Sequence, residues 1–598
     1  MYKNIAIFFL NLLLYQKYND IIYKTLKIFR KERKKQGGIN LIKKAAAVST
    51  AIFCILATFT GCSMPDLSFF GSSSDDDGSG ANLNISIESN PENLDPQTAS
   101  DEESKNIICN IMEGLMTFNE NGELENGTAE SYEISSDSLT YTFKIRDDAM
   151  WFFDKNDNDY MDDDEYTPVT AQDFVFAFQR IFNPDTESPY RETFSFIKNG
   201  NDIINGSKNY TDIGVTATDD KTVVFQLDKA EPYFLTLLAS TAAMPCSQEF
   251  FESTKGRYGL DDKSINSNGP FYIQQWFYDP YGNNNFMYIR RNSDYKKGET
   301  VYPRLITVNI KKSESDLEDD FSQDKSDVLI TDNYKLRYIS SRSYNAVAYD
   351  YATLGLIFNP KDKSLSNKNL RKALRYAIDQ NSLSDGNNID KVASGIVPPS
   401  VSVLGRSYRE LYSEDNLSIK QDTEKAKELF NKALKESSLQ TFDSVKILVC
   451  TNSINSNYLH NIIQQWQDIL GYFVSVDEVG KNEFDKRIAD GNYQIALYEL
   501  NSDFNSPESF LSQFTVKDNI FAVNSDEINN AYKKVIETAS LSERINLYGD
   551  VESKIISADC FYPLFYKPVY VISPSKIQDF LYDPFGKQVY WKYIKKFS

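Results

Sequence analysis

One histidine, His460, stands in 598 residues. That scarcity removes most routes to acid–base chemistry. A Ser-His-Asp triad, an HExxH zinc site or an imidazole pair would have to rest on His460 alone. It falls in "NYLHNIIQQW", which reads as a helix, and a surface or groove position is the expectation. The sequence also lacks a GxxxxGK-S/T phosphate loop and a GxSxG nucleophile elbow. An extracellular hydrolase built on a carboxylate pair stays open as an alternative in so acidic a chain. Cysteine is scarce too, with six residues and no CxxC pair. Cys109, Cys246, Cys450 and Cys560 are widely spaced, unlike a small disulfide-stapled domain. They read as small buried hydrophobes.

Positive charge is missing from most of the chain. Residues 1–61 carry eleven Lys/Arg against Asp20 and Glu32, a net of +9. The total is −21, so the remaining residues carry −30. Such a body repels phosphate backbones, and nucleic acid is excluded as a partner. The length calls for two or more domains. Apolar residues at 41% and aromatics at 14% indicate that most of the chain folds.

What is present begins with a leader. "LIKKAAAVSTAIFCILATFTGC" runs from Leu41 to Cys62. Lys43 and Lys44 form a short positive region, residues 45–60 an apolar stretch too short for a comfortable membrane span, and small Thr60 and Gly61 precede Cys62. The pattern resembles a bacterial lipoprotein signal, with cleavage before Cys62 and a lipid on its sulfur; Phe59 departs from the usual Leu. The alternative is an uncleaved membrane anchor, and either way the body lies outside the membrane. "SMPDLSFFGSSSDDDGSGAN" follows, a flexible tether at residues 62–82 together with the lipidated Cys62. "QGGIN" precedes Leu41. Gly-Gly codons can spell a ribosome-binding site and Leu can be read from a TTG start. Translation is therefore expected to begin at Leu41, with 1–40 a mis-assigned extension; a cellular peptide from residues 1–40, seen by mass spectrometry, would overturn this. The other reading is a real segment, apolar "IAIFFLNLLLY" with basic "RKERKK", lying on a membrane.

Along the body, strands and helices alternate irregularly, which makes an α/β chain with more than one lobe. "LTYTFKIR" puts Leu139, Tyr141, Phe143 and Ile145 on one face of a half-buried strand. "TVVFQL" at 222–227 is another. Thr170 with Asp173 three residues on opens a helix over "TAQDFVFAFQRIF". "NLRKALRYAID" places Leu370, Ala373, Leu374, Ala377 and Ile378 at helical spacing. In "DKNDNDYMDDDE", Asp154, Asn156, Asn158, Asp162 and Glu165 occupy positions 1, 3, 5, 9 and 12 of a twelve-residue Ca²⁺ loop. Position 6, normally Gly, is Asp159, and no helix clearly precedes the loop. The alternative is an acidic solvated loop; no other cofactor is expected.

Several stretches then recur in a familiar order: "ENLDPQTAS", "IMEGLMTFNENGELENGTAESYE", "YTFKIRDDAMW", "TPVTAQDFVFAFQRIFNPDTESPY", "NGPFYIQQW", "IRRNSDYKKG", "NLRKALRYAIDQ" and "LYELNSDFNSPESFL". From about residue 83 to the C-terminus, the succession resembles the peptide-binding class of solute-binding proteins of ABC importers, most closely the oligopeptide-binding proteins. The resemblance implies two α/β lobes joined by a hinge. Lobe I would take 83–113, 246–351 and 569–598, with an inserted subdomain at 114–245, and lobe II 352–568. Loop 154–165 looks like an insertion between Trp151 and Thr167.

The resemblance also implies a mechanism: a peptide bound as an added strand between the lobes. Asp503 matches the carboxylate that holds the peptide's α-ammonium, a charge-assisted pair that fixes register; its alternative is a turn residue ahead of Pro507. The backbones of Glu499, Leu500 and Asn501 would form one rail, those of Ser100, Asp101 and Glu102 the other, and Tyr190 would line the groove. Where some relatives hold the far carboxylate with basic side chains, this chain has Asn455, Ile488 and Leu497, with Arg487 displaced by one. The implied role is a monomeric, non-catalytic receptor, lipid-anchored on the outer face of the membrane, that delivers oligopeptides to the permease of an ABC importer. Alternatives keep the fold with a nickel chelate or sugar as ligand, or make the protein a peptide-pheromone sensor.

Overall fold

A computed structural model describes residues 80–598, except 157–161, 232, 297–298, 334–336, 340, 384–390, 404, 413–419, 452–455, 503, 517–518, 524, 539 and 598. The leader, Cys62 and the tether as far as residue 79 lie outside the described residues; residues 80–82 are described, and Asn82, expected to end the tether, instead opens a strand because its backbone pairs with Leu305. The periodic segments form the elements their patterns predict. Thr140–Ile145 is a strand with Tyr141, Phe143 and Ile145 buried. It lies in an antiparallel sheet ordered Ala129–Ile134, Thr140–Ile145, Thr222–Gln226, Val215–Asp219. Helix Ala171–Phe182 covers that sheet, and Asp173 Oδ2 accepts from the Thr170 N–H at 2.8 Å, so the expected capping pair is formed. The core between them is aromatic. Phe178 meets Phe194 and Phe225 edge-on at 5.2 and 5.1 Å, and Phe225 meets Phe143 and Phe234 at 5.9 and 5.3 Å. Each such pair adds roughly 0.5–1.5 kcal/mol beyond area burial.

A second sheet runs Asn82–Ile87, Leu305–Ile310, Asn285–Arg291, Phe271–Phe277. Its first pair is parallel, from Asn82↔Leu305 to Ile87↔Ile310. Leu83, Ile85, Ile306, Val308, Met287 and Ile289 join Ile107, Ile108 and Ile111 of helix Glu102–Ile111 in one core. A buried ion pair ties this region to the aromatic one. Arg180 Nη1, from helix Ala171–Phe182, donates to Asp95 Oδ1 at 2.9 Å and Gln97 Oε1 at 2.7 Å, while Nη2 bonds Asp95 Oδ2. The guanidinium sits 4.1 Å from the Phe251 ring centre.

The third sheet is mixed. Its order is Leu329–Thr331, Phe561–Pro574, Tyr344–Phe358, Ile495–Leu500, Val445–Cys450, Val474–Val479, with Lys391–Val392 also beside Phe561–Pro574. Tyr344–Phe358 and Phe561–Pro574 run antiparallel from Tyr344↔Pro574 to Ile357↔Phe561, with two register shifts. One falls at Gly355, where a Cβ would meet Phe561 Cζ at 2.5 Å; only glycine lets the backbone pass that ring. Helix Lys368–Tyr376 packs on this sheet's core through Leu370, Ala373 and Leu374, with Ala377 and Ile378 just beyond. Cys109, Cys246 and Cys560 are buried and Cys450 half-buried, and these four form no disulfide with one another. His460 is exposed on helix Ser456–Leu470. No helix among the described residues is long and apolar enough to cross a membrane.

Truncating Asp95 leaves the Arg180 charge buried and unpaired. Asp95→Ala should lower unfolding free energy by about 3–5 kcal/mol in urea denaturation, and replacing both partners with apolar residues should recover part of that loss.

Candidate functional site

The site starts from a strand that outruns its neighbour. Ile495–Leu500 pairs antiparallel with Tyr344–Phe358 along its whole length, from Thr353↔Leu500 to Phe358↔Ile495. On its other side, among the described residues, the pairs with Val445–Cys450 are Ile447↔Ile495 and Leu448↔Ala496. Leu497–Leu500 therefore continues with one edge beyond that pairing, a row of main-chain donors and acceptors suited to an added strand.

The chain then leaves the sheet and turns. The Asn501 carbonyl accepts from Gln513 Nε2 at 2.8 Å. Ser502 Oγ donates to the Phe504 carbonyl at 3.0 Å. Asn505 holds the segment around Ser402, its Oδ1 accepting from the Ser402 N–H at 2.7 Å. Ser506 caps helix Pro507–Leu511.

This turn borders a cleft of about 1330 Å³, larger than the roughly 300–1,000 Å³ of small-molecule sites. Asn501, Ser502, Phe504 and Asn505 line one part of it, and Ser100 and Tyr190 another. The Tyr190 hydroxyl donates to the Ala99 carbonyl, which seats the ring beside Ser100. Glu120, Glu123, Glu192, Glu231, Glu508 and Asp583 line the cleft against Lys105 and Lys229, so the described wall is acidic.

Two of these carboxylates are built differently. Glu508 Oε2 accepts from Arg544 Nη1 at 2.7 Å and Oε1 from the Tyr532 hydroxyl at 3.3 Å. Glu231 Oε1 accepts from the Tyr233 N–H at 3.3 Å. Burial, and then the Glu508 charge, push the Glu231 carboxyl up to about 7. Beside them the Tyr233 and Tyr548 hydroxyls lie 3.1 Å apart. Sequence reasoning did not single out Glu231 or Glu508. Each occurs as an ordinary acid beside a proline, in "AEPYF" and "SPESF", and only tertiary contact distinguishes them.

The residues expected at the site divide. Ser100, Tyr190 and Asn501 line the cleft; Asp101, Glu102, Glu499 and Leu500 are not among the lining residues. Asp101 caps helix Glu102–Ile111, its Oδ1 accepting from the Ser104 N–H at 2.9 Å and its carbonyl from the Lys105 N–H at 3.2 Å. Glu102 pairs with Lys587. Glu499 accepts from the Tyr351 hydroxyl at 3.0 Å and Lys567 Nζ at 2.9 Å. Leu500 is buried. Asp503 lies outside the described residues, between two that line the cleft. Ile488 and Leu497 are buried, Arg487 pairs with Asp477 at 3.1 Å beside a separate hollow, and Asn455 is outside the described residues.

Loop 154–165 joins strands Met150–Phe152 and Tyr166–Pro168, which pair at Trp151↔Thr167. Glu165 is 2% exposed. Its carboxylate accepts from the N–H groups of Lys155, Asn156 and Asp162 at 2.8, 3.4 and 3.2 Å, so it closes the loop on itself. Asn156 Nδ2 donates to Asp162 Oδ2 at 3.0 Å. Asp154 is half-buried, and Asn158 is outside the described residues. Among the described residues no three His, Cys, Asp or Glu side chains gather in a group able to hold a metal.

Comparison with known proteins agrees with this architecture. Residues 123–522 match the family model for bacterial extracellular solute-binding proteins, family 5 Middle. The chain is 28% identical to the oligopeptide-binding protein OppA of Bacillus subtilis over 491 residues, 80% of this chain and 85% of that protein. Among solved structures it resembles the peptide-binding pheromone receptor PrgZ, with 26% identity, a TM-score of 0.66, and 87% and 100% of the two chains covered. It shares its fold with peptide-bound OppA of Listeria monocytogenes, with 24% identity, a TM-score of 0.64 and coverage of 87% and 99%. The fold is thus the two-lobed α/β arrangement, and the family is one of binding proteins rather than catalysts. With its model spanning more than half of the sequence, this chain belongs to the bacterial extracellular solute-binding proteins of family 5.

Proposed function

We propose that this chain is an extracytoplasmic receptor that binds oligopeptides in the cleft and hands them to the permease of an ABC importer. The observation that carries the reading is a cleft of about 1330 Å³ lined by Asn501, the residue that directly follows strand Ile495–Leu500, whose second edge is paired only at Ile495 and Ala496 among the described residues. A peptide laid along that edge would gain main-chain hydrogen bonds whatever its sequence, and its side chains would fall into the surrounding volume. The likeness to the oligopeptide-binding protein of Bacillus subtilis and to the peptide-bound Listeria protein supports the same ligand class. Asp503 is our choice for the α-ammonium, because a cation withdrawn from water needs an opposite charge. Asn501 and Ser100 are the rail residues that line the cleft, and Tyr190 flanks the bound chain.

Membrane attachment through lipid on Cys62 belongs to this proposal. It rests on the apolar run before that residue and the Ser/Gly/Asp tether after it. A second reading, a pheromone sensor with the same groove, is favoured by the likeness to PrgZ. The two differ in whether bound peptide enters the cell.

Calorimetry on refolded protein should show heat from free tri- to hexapeptides and none from the same pool after N-acetylation. Asp503→Ala should weaken binding several-fold or more while leaving the melting transition in place. Equal heat from both pools would reject the ammonium anchor, and silence from both would turn the reading to a non-peptide solute. Mass spectrometry of the protein from the membrane fraction should find Cys62 as the N-terminal residue with a diacylglycerol on its sulfur; an unmodified Cys62 inside an uncleaved leader would reject the lipid.

A further inference from the structure

The cleft contains a carboxylate with no cation at contact distance among the described residues. Glu231 lines the cavity half-buried, and the hydrogen bond it accepts comes from a neutral main-chain N–H. Glu508, across from it, is answered by Arg544 and Tyr532. The other titratable groups that interact with Glu231 are Lys229, exposed two residues away, Arg544, and the hydroxyls of Tyr141 and Tyr532. Arg544 is engaged by Glu508 at 2.7 Å, so its charge is largely spent there. Tyr233 and Phe504, whose ring centres are 6.5 Å apart, give the surroundings an apolar surface.

A carboxylate in such a place is poorly solvated and repelled by its neighbour, so it stands to gain from an incoming cation. A long basic side chain meets both demands, its methylene stem on the aromatic surface and its charged head on the carboxylate. We propose that Glu231 seats a Lys or Arg side chain of the bound peptide, so that the cleft selects peptides with a basic residue at one fixed position. This rests on the peptide-binding reading and adds a sequence preference to it.

Proton linkage gives a second readout. The Glu231 carboxyl sits near 7 when the cleft holds no cation. A cationic side chain favours its ionised form, so binding expels a proton near neutral pH. Below about 7 Glu231 is increasingly protonated and its attraction for the cation fades.

The test uses Ala-based hexapeptides with one Lys, or one norleucine, at each of positions two to six, titrated into the full-length protein. Lys should bind about 10-fold or more tighter than norleucine at one position, the scale of a charge-assisted hydrogen bond. That ratio should shrink from pH 8 to pH 6, and it should collapse in Glu231→Gln. A Lys advantage spread evenly over all positions, or one unchanged in Glu231→Gln, would overturn the proposal. Should Glu231→Gln fail to fold, the wild-type pH series decides, and a flat ratio overturns it. Norleucine peptides that bind with no Lys advantage sink this inference alone. No binding by any peptide sinks the peptide reading with it.

Discussion

The strand that leads into the cleft depends on one long antiparallel ribbon. Tyr344–Phe358 and Phe561–Pro574 are the longest strands described, at 15 and 14 residues, which at about 3.3 Å per residue span roughly 45–50 Å. At one end Tyr570 and Ile572 belong to a small core with Phe321 and Tyr338. At the other, Leu356, Phe358, Tyr562 and Leu564 enter the core under helix Lys368–Tyr376. Between them Tyr351, Ala352, Val569 and Val571 join the largest core. Ile495–Leu500 hangs on the ribbon's flank, so the edge offered to a ligand inherits its position from the ribbon.

The electrostatics follow a similar division of labour. Deep charges are paired inside the protein: Arg180 with Asp95, Arg409 with Glu552, Arg375 with Asp559. Such pairs add little net stability over apolar packing, but breaking one is costly, so they fix how elements meet. The cleft is arranged otherwise. Its described wall has six acidic residues against two lysines, which leaves a net negative field for a ligand to satisfy.

Local elements were legible in the sequence because their information is local. The alternation in "LTYTFKIR", the Thr170–Asp173 pair and the apolar spacing in "NLRKALRYAID" each specify an element without reference to the rest of the chain. The ribbon was not legible. Its strands lie more than 200 residues apart, and Tyr344–Phe358 is exposed and irregular at one end and buried on both faces at the other, so no single period describes it. Ser100, Tyr190 and Asn501 were found through resemblance, since nothing in their own neighbourhoods announces a cleft. In the acidic loop, spacing and contacts carry different information. Position 12 holds the expected Glu165, but that carboxylate lies buried against the loop's own N–H groups, which ligand spacing alone does not reveal.

The buried cysteines Cys109, Cys246 and Cys560 form no disulfide, and this bears on how the protein is made. Burial pushes the Cys246 thiol up to about 12 and raises those of Cys109 and Cys560. These sulfurs stay as thiols, poor targets for peroxide and for exchange. The described body holds together by packing, hydrogen bonds and ion pairs, with no disulfide among the described residues. Its maturation after export need not wait for a thiol oxidase, and it can reach the same native state in anoxic surroundings or in a reducing cytosol.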